Sequence, residues 1–129
     1  MNRLLILFLL LPFTDEEPKY VGEFRGLSSG ILHEQIKDLT ITKNGKYVLK
    51  LWGSSIQSNY TIIGRWTFAD EEIRIEPSKF IEYKIQKRNY RKSTIKCENS
   101  NDEYYCLSEI LVYRKDTLFI NEKPCYVKK

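Results

Sequence analysis

His33 is the only histidine in the chain, and Glu34 follows it. A His–Glu neighbour pair offers acid–base chemistry near neutral pH. Triad-type nucleophilic catalysis would have to rest on that one histidine, since no second one exists to activate a serine or cysteine. His33 follows the polar stretch Ser28-Ser29-Gly30, and a lone histidine in such a loop is usually a solvated residue. A hydrolase-type enzyme using His33 is therefore the least favoured function class. A non-enzymatic protein is expected.

Three cysteines, Cys97, Cys106 and Cys125, fall in the last third of the chain. They form no Cys-x-x-Cys pair, which leaves a zinc or thioredoxin-type site without support. No metal and no cofactor is expected. In an oxidising compartment two of the three pair and one is left over. Cys97 and Cys106 flank the segment ENSNDE, Glu98 to Glu103, which reads as a hairpin tip. Pairing Asn99 with Tyr104 sets Cys97 opposite Cys106, where a non-hydrogen-bonded antiparallel pair approaches closely enough for a disulfide. Cys106–Cys125 and Cys97–Cys125 remain open alternatives. The role in each case is stabilisation.

Lys84, Lys87, Arg88, Arg91, Lys92 and Lys96 form a basic band without an acidic residue, with Tyr83 and Tyr90 interleaved. Such a hairpin suits an anionic surface: lipid head groups, polysaccharide or a single nucleic-acid strand. Charge runs more commonly mark solvated faces that guard a strand edge. Four acidic residues, Glu98, Asp102, Glu103 and Glu109, follow and dilute the field if the two strands pair. Asn59-Tyr60-Thr61 fits a glycosylation sequon, but nothing else in the sequence points to a eukaryotic secretory pathway, and chance accounts for it.

These residues are carried by a chain of 129 residues. Its start reads as a signal sequence. Met1-Asn2-Arg3 is basic, Leu4 to Leu11 is unbroken apolar sequence, and Asp15-Glu16-Glu17 ends it. A bilayer span needs roughly 20 apolar residues, so the run is read as a leader over residues 1–14 and not as a membrane span. No Ala-x-Ala-like site is present, and the cleavage point is placed after Thr14. Residues 15–129 form one domain, expected to be exported to the periplasm or secreted. Removing residues 1–14 leaves 20 basic and 17 acidic residues. That mild excess does not call for a nucleic-acid partner, and none is expected.

Beyond Lys19 the pattern is short alternating strands and tight turns. Strands are predicted at 19–26, 36–42, 46–52, 60–68, 72–76, 79–88, 90–97, 104–114, 117–121 and 124–127. Leu27 to Gln35 is read as an irregular helical turn. Asn44-Gly45 predicts a type I′ hairpin turn. Pro77-Ser78 is read as a break between two strands. Sequential hairpins of this kind make an all-β, antiparallel, up-and-down barrel of about eight to ten strands.

The stretch LTITKNGKYVLKLWGSSIQSNYTIIGRWTFADEEIRIEP, Leu39 to Pro77, resembles small bacterial exported lipocalin-like (calycin-type) barrel proteins. The closing YRKDTLFIN segment resembles their final hairpin. True lipocalins carry Gly-x-Trp on the first barrel strand. Here Gly64-Arg65-Trp66 lies mid-chain, and the first strand offers only Gly22-Glu23-Phe24, so ligand carriage does not transfer from the resemblance. On the strand phases, Tyr47, Leu49, Leu51, Trp66, Phe68, Ile73 and Ile75 face the barrel interior. They either fill it or line an apolar ligand cavity. The expected partner is a small apolar ligand or a macromolecule of the cell envelope or exterior.

Overall fold

The computed structural model describes residues 18–27, 36–52, 58–86, 89–102 and 105–129. The leader at 1–14, most of the helical turn expected at Leu27 to Gln35, His33 with Glu34, and Lys87 with Arg88 lie outside the described residues.

Nine strands are formed: β1 Gly22–Gly26, β2 Ile36–Ile41, β3 Lys46–Trp52, β4 Ser58–Ala69, β5 Glu72–Gln86, β6 Asn89–Lys96, β7 Glu109–Arg114, β8 Thr117–Ile120 and β9 Lys123–Lys128. All pairings are antiparallel, and β9 returns to β1 through Phe24–Lys128 and Gly26–Tyr126. Eight strands thus close an up-and-down barrel, which removes the free edges an open sheet would expose. The ninth, β6, lies outside the ring. It pairs with Lys79 to Gln86 of β5, whereas β7 pairs with Ile73 to Ile75 of the same strand. Below, the lower end of the barrel is the one carrying the 43–45, 70–71 and 115–116 turns.

The expected break at Pro77-Ser78 does not occur; β5 runs unbroken from Glu72 to Gln86. The proline sits where the β4–β5 register shifts, between Ile63–Lys79 and Gly64–Pro77. The residue left out of the register is Ser78, and Pro77 beside it lies within the bulge, where a strand tolerates a missing N–H. Gly64 is required at this point. A Cβ on it would collide with the Glu76 carbonyl oxygen and lie 2.6 Å from Tyr47 Cε1.

The turn chemistry also differs from expectation. Of Asn44 and Gly45 only Gly45 has positive φ, at 86°. The amide of Thr42 donates to the Lys46 carbonyl at 2.9 Å. This is a three-residue loop closed by a glycine bulge rather than a type I′ turn. Paired positive φ values occur instead at Asp70–Glu71, Lys115–Asp116 and Asn121–Glu122. These two-residue turns match strand twist but use no glycine.

Inward phases build the core. Phe24, Leu39, Ile41, Tyr47, Ile73, Leu111 and Leu118 are fully buried. The lower end is closed by aromatic contacts. Tyr20 stacks on Phe68 at 4.8 Å and meets Trp66 edge-on at 5.5 Å. Trp66 Nε1 donates to the Thr42 carbonyl at 2.7 Å, tying the Gly-x-Trp strand to the β2–β3 turn.

Candidate ligand-binding site

The segment between β6 and β7 leaves the barrel wall. Cys97–Asn99 is a single 3₁₀ turn, not one arm of a hairpin, and β7 begins at Glu109 rather than Tyr104. Among the described residues the hairpin expected across 98–103 is not formed, because β6 and β7 each pair with β5 and not with one another. Cys97 and Cys106 nevertheless form a disulfide, with Cα atoms 5.5 Å apart. Cys125 is a free, half-buried thiol. The Tyr105 amide donates to Asp102 Oδ1 at 2.6 Å, and the Asp102 amide to Ser100 Oγ at 3.0 Å. The disulfide and these bonds tie residues 97–102 and 105–108 into a compact clamp. Its Tyr105 ring stacks on Tyr60 and packs against Phe80.

Beneath this segment the upper half of the barrel holds a partly enclosed cavity of about 170 Å³. Leu49, Leu51, Ile62 and Ile75 supply apolar wall, Tyr105 and Leu107 belong to the covering segment, and Lys37, Tyr47, Glu109 and Tyr126 bring polar groups. The two charges arrive by strand phase. Lys37 shares the inward phase of Leu39 on β2, and Glu109 that of Leu111 on β7. Burial raises the pKa of the Glu109 carboxyl, while the charge of Lys37 acts in the opposite direction. Burial, followed by the negative charge of Glu109, holds the Tyr47 hydroxyl protonated well above its ordinary range. Tyr47 is therefore a hydrogen-bond donor throughout the physiological range, and Glu109 an acceptor with a cation nearby.

Of the interior residues read from sequence, Tyr47, Leu49, Leu51 and Ile75 line this cavity. Ile73 lies in the solid core below it. Trp66 and Phe68 belong to the lower closure, where Phe68 is 45% exposed. The strand phases read from the sequence do not assign Lys37, Tyr105 or Tyr126 to the interior, and Glu109 enters there only as one of the acidic residues after the basic band. Lys37 and Glu109 carried a usable signal, a charged residue on the inward phase of an otherwise apolar strand. In the basic band, Lys84, Arg91, Lys92 and Lys96 are exposed on the β5–β6 hairpin. Among the described residues Glu98, Asp102 and Glu109 do not pair with β6, so the dilution expected from such a pairing does not arise there.

Among the described residues no group of three or more His, Cys, Asp or Glu side chains is arranged to hold a metal ion. No helix among them is long and apolar enough to cross a membrane. The closed eight-stranded antiparallel barrel is compatible with a lipocalin-like barrel. Comparison with protein-family models, with curated proteins and with solved structures yields no match.

Proposed function

We propose that this chain is a non-enzymatic, exported, lipocalin-like binding protein for a compact apolar ligand with a polar head. The observation that carries the reading is the cavity of about 170 Å³ between Leu49, Leu51, Ile62 and Ile75, with Lys37 and Glu109 presented to it. Sites for drug-sized ligands run to roughly 300–1,000 Å³, whereas an apolar cavity of roughly 150 Å³ holds one benzene ring. The fitting ligand is thus about the size of a single substituted ring, its head directed to the Tyr47 hydroxyl, Glu109 and Lys37. The Cys97–Cys106 bond is consistent with an oxidising compartment and hence with export.

The test is saturable binding of indole and p-cresol, followed by calorimetry and by amide shifts in NMR spectra. Binding is expected in the native chain and lost in Leu49→Trp, whose indole occupies the cavity. Absence of saturable binding by either probe, or unchanged binding in Leu49→Trp, overturns the proposal.

A further inference from the structure

A second site lies on the outside of the barrel. Asn59 is paired with Tyr83, and Tyr83 with Lys92. Trp52 follows Leu51, the partner of Tyr60, so it stands beside Asn59 on the outward phase. The strands therefore set a row Trp52–Asn59–Tyr83–Lys92 across the outer face of β3 to β6. Lys92 Nζ lies 6.0 Å from the centre of the Tyr83 ring. A shallow depression of about 330 Å³ opens here, and Trp52, Asn59, Thr61, Tyr83 and Lys50 contribute to its lining.

Basic side chains predominate around this depression. Lys50 lies within it, and Lys79 stands directly opposite Lys96 on the same face. On the other face of the hairpin Lys84 stands opposite Arg91. Like charges directly opposite one another destabilise a strand pair, and this hairpin carries two such pairs. Above the bulge no outward-facing carboxylate is present on β3 to β6 among the described residues. Asp38 on β2 stands directly opposite Lys50, and its carboxylate is bound to Lys129 at 3.1 Å. A polyanion laid on the outer face relieves the Lys79–Lys96 repulsion.

We propose that the outer face of β3 to β6 docks an acidic glycan chain. Trp52 and Tyr83 are two strands apart, about 10 Å by the interstrand spacing. That is near the length of two linked sugar rings and longer than the step between stacked bases. The aromatic rings offer apolar faces to the C–H faces of sugars. The Asn59 amide and the Thr61 hydroxyl between them suit sugar hydroxyls, and the lysines suit carboxylate or sulfate groups. A membrane surface would call for exposed apolar side chains to enter it, and both rings are half-buried.

The test titrates the full oxidised chain with a heparin oligosaccharide, neutral dextran of equal length, a single-stranded oligonucleotide and phosphatidylglycerol vesicles. Saturable binding is expected for heparin and not for dextran. Tyr83→Ala and Asn59→Asp are each expected to weaken it at least tenfold. Asn59→Asp adds a carboxylate without removing packed volume, so it decides the matter even if Tyr83→Ala unfolds. The cavity variant Leu49→Trp is expected to keep full heparin affinity, which separates this site from the interior one. No heparin binding, unchanged affinity in Asn59→Asp, or equal or tighter binding of the oligonucleotide or the vesicles overturns the proposal.

Discussion

The rings of Tyr105 and Tyr60 lie 4.3 Å apart and within 20° of parallel, although Tyr60 belongs to the barrel wall and Tyr105 to a segment that has left it. Phe80 extends the contact, its centre 5.1 Å from that of Tyr105. The stack seats residues 105–108 over the cavity, and the Cys97–Cys106 bond ties them to the end of β6.

Removing that bond is expected to act on both stability and access. Cys97→Ser/Cys106→Ser frees a loop of about ten residues, which costs about 2–3 kcal/mol in the chain-entropy description. Urea unfolding of the native and double-serine chains measures the loss. Stopped-flow mixing with indole measures access, and faster association and release are expected in the variant. Unchanged rates would show that the segment does not cover the cavity.

The raised pKa of Glu109 makes a signed statement about pH. A carboxyl whose folded pKa lies above its unfolded value binds its proton more tightly in the folded state. Its contribution is fully present below the unfolded value, near the reference 4.5, and is lost as pH rises through the higher folded value. Glu109→Gln removes this dependence. The variant is expected to gain stability relative to the native chain between pH 4 and pH 7. Denaturant midpoints of both chains across that range provide the check.

Gly64 has no room for a methyl group. Gly64→Ala is expected to cost about 2–3 kcal/mol, the upper range for overpacking a filled interior, because the collision is with backbone of β5 and with the Tyr47 ring. Thermal and urea unfolding would read the loss. A near-neutral substitution would mean that the β4–β5 bulge yields more easily than its geometry implies.

Glu71 holds φ at 66° with no glycine in its turn. Left-handed backbone costs a side-chain-bearing residue about 1–2 kcal/mol, offset in part by the greater unfolded-state entropy of glycine. Glu71→Gly is therefore expected to stabilise the chain by about 0.5–1 kcal/mol. An unchanged or lower denaturation midpoint would count against strain at this turn.

The sequence by itself determined the strand periodicity, the antiparallel meander and the inward phase of residues such as Tyr47, Leu49 and Ile75. Alternation along a strand is a local property, set by the backbone pleat. Charge on an inward phase was equally legible at Lys37 and Glu109, but their meaning depended on which strands meet across the barrel. The tertiary structure decided the rest. It made β5 one strand through Pro77, because a bulge against Gly64 absorbs the proline. It replaced the expected β6–β7 hairpin with a clamp, because both strands pair along the same long edge of β5. It also divided the inward residues between a solid lower core holding Ile73, a lower closure holding Trp66 and Phe68, and an upper cavity. That division follows from strand stagger in a closed ring, which sets the height of each residue along the barrel axis and which no local pattern records.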